Sequence, residues 1–235
     1  MKRSIFPVLI LALGAACSSQ TDLTDPVARG ERDFNGIGCV KCHTIGDNGN
    51  QWGPDLTMLG FRKSSVWIAT WLKNPHDWNP KTVMPNFNLT DATRADIVAY
   101  LSAQKGQAWT EKPWLTAEAK ALPAAERGKI IFNSVGCVSC HAKDGYGGYP
   151  NNNSAGGLIP SLTKVTEGYN KSELHEKIKT GAIPIPNDSK LPPPMLEMPK
   201  WGEQLNAHEI DALVEYLFTL APKPAAGAKP SKDDF

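Results

Sequence analysis

Cys39-Val40-Lys41-Cys42-His43 and Cys137-Val138-Ser139-Cys140-His141 are the two stretches whose reading decides this chain. Two thiols three positions apart can reach the two vinyl groups of one haem, and the adjacent histidine then lies beneath the ring to bind iron. CxxCH therefore reads as c-type haem attachment. Two instances in register are far more specific than one. Four cysteines and two histidines could also hold zinc, but a zinc site more usually brings two such motifs close together, and these stand 98 positions apart. A thioredoxin-like redox pair requires a βαβ pattern around the motif, which neither copy has.

The motifs sit inside an internal repeat, which has to be recognised before any element is placed. Arg29-Gly30, Phe34-Asn35 and Gly38-Cys39 recur 98 positions later as Arg127-Gly128, Phe132-Asn133 and Gly136-Cys137. Pro54-x-Leu56 matches Pro160-x-Leu162 at an offset of 106, and Met84-Pro85 matches Met198-Pro199 at 114. Leu89 with Tyr100-Leu101 matches Leu205 with Tyr216-Leu217 at 116. An offset that only grows describes a duplication with insertions in the second copy, a large part of them near the Gly/Asn-rich stretch 145–157. The chain divides into domains at 26–106 and 123–221, joined by a linker at 107–122 that carries Trp109 and Trp114.

Each copy predicts helices and no strands. Asp25-Pro26 has the form of an N-cap followed by proline at the first helical position, opening a helix toward Cys39. Pro123 opens its equivalent toward Cys137. Thr90 caps a segment with Ile97, Val98 and Leu101 on one face. Asn206 and Glu209 have capping-box spacing ahead of Ile210, Leu213, Val214 and Leu217. Ser65–Trp71 predicts a short helix.

A haem iron held by one histidine needs a sixth partner, which separates carrier from catalyst. Met84 and Met198 are related by the repeat and each is followed by proline. A thioether opposite the histidine raises the reduction potential and closes the iron to substrates. Met58 reads as core filler, and Met195, three residues from Met198, is an alternative second ligand. His76, His175 and His208 have no counterparts in the other copy, and His208 falls on the helix face opposite Ile210 and Leu217.

The 235 residues carry 25 Lys+Arg against 24 Asp+Glu, with 41% hydrophobic residues. This is enough apolar material for a core and too little net charge for a nucleic-acid footprint. No apolar run reaches the roughly 18 residues of a membrane span. Lys2 and Arg3 ahead of the run Ile5 to Ala16 read as a secretory signal at 1–16. Its end, Leu13-Gly14-Ala15-Ala16-Cys17, resembles the lipobox of bacterial lipoproteins, which implies lipidation at Cys17. Residues 17–25 then form a tether, and Ser18 favours the outer membrane in a Gram-negative source. The Ala/Pro/Lys-rich residues 222–235 read as a disordered tail.

Each half resembles a class I cytochrome c domain: a helix into CxxCH, a Gly-Pro-x-Leu segment, a Met-Pro loop and a closing helix ending Tyr-Leu. The first half, with Trp71-Leu72-x-Asn74-Pro75 and Met84-Pro85-Asn86-Phe87, is similar to the cytochrome c modules associated with respiratory oxidases and quinol oxidoreductases. The resemblance implies an all-α fold of two tandem domains, each wrapped around one covalently attached haem c. It implies that the carbonyl of Pro54 accepts from His43 and that of Pro160 from His141. Ile159 stands where the pattern has glycine. The implied activity is one-electron transfer between redox proteins such as a quinol oxidoreductase, a terminal oxidase or another cytochrome, at the periplasmic side of a bacterial membrane. Two alternatives share the tandem motifs. One is a dihaem enzyme of peroxidase or thiosulfate-oxidising type with one open haem. The other is a fixed haem subunit of a membrane respiratory complex.

Overall fold

The computed structural model describes residues 24–221. The signal segment, Cys17, most of the tether and the tail lie outside the described residues. Eleven α-helices follow in order among them: α1 (Pro26–Ile37), α2 (Leu59–Arg62), α3 (Ser65–Lys73), α4 (Pro75–Trp78), α5 (Asp91–Ser102), α6 (Ala117–Ala121), α7 (Ala124–Ser134), α8 (Val138–His141), α9 (Val165–Gly168), α10 (Lys171–Thr180) and α11 (Ala207–Phe218). One departure from the all-helical expectation is a two-residue hairpin, Thr44–Ile45 against Asn48–Gly49, directly after the first CxxCH.

The helix starts follow local chemistry. Asp25 accepts from the Val27 amide at 3.0 Å, with Pro26 where no amide hydrogen is missed. Thr90 accepts from Thr93 at 3.2 Å. Asn206 and Glu209 form the reciprocal capping box at 3.0 and 2.8 Å. A second box at Asn170 and Glu173 opens α10. Pro123 stands at the N-cap of α7 itself, just outside the helix, and makes no side-chain cap bond.

The repeat is a repeated helix crossing. In the first copy α1 packs on α5, and in the second α7 packs on α11. Phe34 meets Tyr100 with ring centroids 5.5 Å apart, and Phe132 meets Tyr216 at 5.4 Å. At the crossing points stand Gly30 and Gly128. A Cβ there would lie 2.0 Å from the Asp96 carbonyl oxygen and 1.9 Å from that of Ala212. The two backbones touch because neither glycine has a side chain. Past each helix the chain turns into CxxCH through Gly38 at φ 92° and Gly136 at φ 87°, a left-handed conformation glycine adopts without steric cost.

The two cores exchange residues. The first gathers Phe34, Leu59, Trp67, Ile68, Ile97 and Leu101, and it also takes in Leu196 from the second copy. Burying that leucine stabilises the pairing of the domains by about 2 kcal/mol. The second gathers Ile131, Phe132, Trp201, Ile210, Leu213 and Leu217, together with Met58 from the first copy and Trp114 from the linker. The linker is thus structural. Trp114 is 1% exposed and donates its indole N–H to Glu209, whose other oxygen completes the α11 capping box. A buried carboxylate is tolerated there because both its oxygens are hydrogen-bonded.

The added length of the second copy forms much of the interface. Tyr149 and Ile159 pack against the first core, and Pro150 accepts from the Trp78 indole at 3.2 Å. Asn151 both donates to and accepts from the Leu196 backbone, at 3.0 and 3.2 Å, which ties the loop at 147–159 to the segment before Met198.

Candidate functional site

In each copy the N-terminal helix delivers the two cysteines and the histidine on a single tight turn. In the first copy, the amide of His43 bonds back to the Cys39 carbonyl at 3.0 Å, and in the second that of His141 bonds to Cys137 at 3.0 Å. The four described cysteines are free of disulfides. His43 Nδ1 lies 2.9 Å from the Pro54 carbonyl oxygen, and His141 Nδ1 lies 3.3 Å from that of Pro160. A carbonyl can only accept, so Nδ1 carries the proton and Nε2 keeps its lone pair for a metal. Burial pushes both imidazoles below their ordinary pKa, and the carbonyl contacts oppose this only in part. Both rings are therefore neutral at physiological pH and ready to ligate.

The two sites differ in how the loop beside the histidine is packed. At Gly53 a Cβ would come 2.6 Å from His43 Cε1, so the chain runs against the ring edge. Ile159 in the second copy packs against the first domain's core and also lines the second cavity, and the His141 contact is the longer of the two. After His141 the chain passes through Ala142 at φ 60° and Asp144 at φ 55°. Such non-glycine residues cost about 1–3 kcal/mol each, whereas the first copy has Gly46 and Gly49 at its positive-φ positions just after His43.

The second site opens into a cavity of about 550 Å³, lined by Cys137, Cys140 and His141 on one side and by Leu213, Ile178 and Met198 elsewhere. That volume falls in the range of cofactor pockets. Apolar walls, two thiols and a tautomer-fixed imidazole fit a covalently attached haem. Met198 lines this cavity, while Met195 packs against the first domain's core. In the first copy Met84 borders the core, and its sulfur accepts from the Trp71 indole N–H at 2.9 Å. Met58 is buried as core filler. Of the remaining histidines, His76 and His208 are exposed, and His175 pairs with Asp211 at 2.7 Å. Among the described residues no three His, Cys, Asp or Glu side chains converge as a zinc site would require.

Two residues beside the second site escape sequence reasoning. Arg62 lines the second domain's cavity although it belongs to the first domain, and Lys63 Nζ lies 3.1 Å from Cys140 Sγ. The available signal was their asymmetry: at the offset of 106, Arg62-Lys63 corresponds to Gly168-Tyr169.

Paired helix crossings, each feeding a Cys-x-x-Cys-His turn whose imidazole is held by a proline carbonyl, are the architecture of c-type cytochrome domains. The cytochrome c family pattern matches residues 27–105 and 125–221, and the chain belongs to that family. It is 30% identical over 152 residues to a cytochrome c4 of Pseudomonas aeruginosa, an alignment covering 60% of this chain and 72% of that protein. It is 24% identical over 101 residues to a nitric oxide reductase subunit of Stutzerimonas stutzeri, an alignment covering 40% of this chain and 65% of that protein. The chain accordingly carries two covalently attached haem c groups and works in electron transfer. No helix among the described residues is long and apolar enough to cross a membrane.

Proposed function

We propose that this protein is a lipid-anchored dihaem cytochrome that relays single electrons at the periplasmic face of a bacterial membrane. Cys39 and Cys42 attach the first haem and Cys137 and Cys140 the second. His43 and Met84 ligate one iron, His141 and Met198 the other. When bound, each haem supplies reversible one-electron chemistry. The protein's part is to fix potentials and exclude other reactions. Pro54 and Pro160 hold the imidazoles in one tautomer and orientation, Met84 and Met198 would complete the ligand sets, and the apolar walls would keep water away.

The observation that carries this reading is the matched pair of sites, in which each histidine is already fixed through Nδ1 and a Met-Pro loop follows at the repeat-related position. Visible and near-infrared spectra of the oxidised and reduced protein, with carbon monoxide added to the reduced form, test it. Two low-spin haems, a methionine–iron charge-transfer band and no response to carbon monoxide are expected. A high-spin haem that binds carbon monoxide would instead indicate a dihaem enzyme. The anchor is tested separately: Cys17→Ser is expected to move the protein from the detergent phase to the aqueous phase of a detergent partition. An unchanged distribution would remove the lipid from the proposal.

A second reading has one observation in its favour, the likeness to a reductase subunit over 101 residues. In that reading the same chemistry serves as a fixed part of a membrane respiratory complex. Stoichiometric copurification with a quinol-oxidising or oxygen-reducing complex would select it over a free-standing carrier.

A further inference from the structure

The two methionine loops are supported differently. Met84 has the Trp71 indole on its sulfur, and its loop follows the short helix α4. At the offset of 106, α3 corresponds to α10 and Trp71 to Lys177. α10 contains no aromatic residue that could do the same for Met198. From Gly181 to Met198 the chain runs without a helix, and Ala182, Pro184, Ile185 and Leu196 from this stretch wall the second cavity beside Met198.

This loop is held by three consecutive asparagines of the other inserted segment. Asn151 is 4% exposed; its Nδ2 donates to the Leu196 carbonyl at 3.0 Å and its Oδ1 accepts from the Leu196 amide at 3.2 Å. Asn152 Oδ1 accepts from the Met195 amide at 2.9 Å. Asn153 Nδ2 donates to the Asp188 and Pro192 carbonyls at 2.8 and 2.9 Å, and its Oδ1 accepts from the Asp188 amide at 2.9 Å. A primary amide offers donor and acceptor together, so it can stand in for the strand partner this loop lacks. Leu196 is buried, and its N–H and C=O require such a partner. The holding segment is itself fixed, because the Asn151 amide donates to the Gly157 carbonyl at 3.0 Å and its carbonyl accepts from the Ser154 hydroxyl at 3.0 Å. Two residues past the last of these contacts, Met198 exchanges backbone hydrogen bonds with Ala182 at 2.9 and 3.0 Å.

We propose that Asn151, Asn152 and Asn153 are positioning residues for the sixth ligand of the second iron. They hold the Met198 loop closed along the cavity and so set how rarely that iron is open to an exogenous ligand. The inference rests on the dihaem His/Met reading above. Local opening of a loop competes with the bonds that only its closed form makes, and every asparagine contact named here is of that kind. Removing the Asn151 amide leaves two buried backbone groups of Leu196 unpaired in the closed loop, whereas water satisfies them in the open one. The first site, whose methionine is held through its sulfur, does not depend on the asparagines.

Cyanide binding by the oxidised full-length holoprotein tests the proposal. At saturating cyanide, uptake by a methionine-ligated iron is limited by loss of the methionine. The second haem's phase is the one that loses this limit in Met198→Ala. On that phase Asn151→Ala is expected to raise the saturating rate about tenfold or more. Asn152→Ala and Asn153→Ala should raise it too, and the first haem's phase should keep its parental rate. Asn152→Asp preserves an oxygen for the Met195 amide on an exposed side chain and should restore the parental rate. An unchanged second phase in both Asn151→Ala and Asn153→Ala would overturn the proposal. So would equal acceleration of both haems, the mark of general loosening, or an Asn152→Asp protein accelerated as much as Asn152→Ala. If Asn151→Ala fails to accumulate, Asn153→Ala and the two Asn152 variants decide by the same criteria. A Met198→Ala protein that takes up cyanide as slowly as the parent would overturn the axial assignment itself, an outcome distinct from a methionine-ligated haem whose opening ignores the asparagines.

Discussion

Replacing Gly128 by alanine is expected to destabilise the second domain by about 3 kcal/mol or more, lowering the midpoint of thermal unfolding by roughly 6–12 °C for a chain of this size. Two effects compete. Alanine is the better helix former, and inside a helix the exchange gains about 1 kcal/mol. Against this, the new Cβ would stand 1.9 Å from the Ala212 carbonyl oxygen and 2.9 Å from the Tyr216 Cβ. The obstacle is backbone, which cannot step aside as a flexible side chain would. Relief requires α7 and α11 to separate, and with them Phe132 and Tyr216. The clash therefore outweighs the propensity. Gly36 supplies the contrast, because it lies in α1 with nothing within 4 Å of the place a Cβ would take. Gly36→Ala is expected to be neutral or to gain up to about 1 kcal/mol. Thermal unfolding of both variants followed by circular dichroism measures the difference. A Gly128→Ala protein as stable as the parent would mean that the crossing is looser than its geometry indicates.

Replacing Met84 by alanine is expected to open the first haem to carbon monoxide, abolish its share of the methionine–iron charge-transfer band and lower its potential on the order of 0.1 V. That shift is a modest part of the roughly 0.8 V that axial ligation spans. The thioether favours the reduced iron. Trp71→Phe separates two contributions at this site. The indole N–H draws electron density from the Met84 sulfur, so losing that bond should lower the potential without opening the iron. A hydrogen bond worth about 0.5–1.5 kcal/mol corresponds to roughly 20–60 mV for one electron. Redox titration with and without carbon monoxide reads both variants. A Met84→Ala protein with parental spectrum and potential would remove Met84 as ligand. In the second domain Met198→Ala should open the iron and Met195→Ala should not, because Met195 packs in the other domain's core.

The parts of this molecule legible in its sequence share one physical property: their chemistry is local. A cap needs an acceptor two or three residues before a free amide, and Asp25, Thr90 and Asn206 were readable for that reason. The Cys-x-x-Cys-His turn is contained in five residues. The repeat could be aligned because Gly30, Phe34 and Tyr100 recur as Gly128, Phe132 and Tyr216, residues imposed by one helix crossing used twice. Even the tautomer-fixing contacts of Pro54 and Pro160 could be anticipated, although only through resemblance to a known family.

What the sequence by itself determined is two copies of a helical domain, where their helices begin and where each carries its Cys-x-x-Cys-His turn. Only the tertiary structure decided how the copies meet: Leu196 in the first core, Met58 and Trp114 in the second, Trp114 on Glu209, and Arg62 and Lys63 buried against the second site. No periodicity announces these contacts. A Lys or Arg in a short turn after an apolar residue is ordinarily solvated, and its burial is decided by a surface supplied from about 75 residues further along the chain. Local hydrogen-bonding rules operate within a turn of helix, whereas the environment of a charge depends on everything that packs around it.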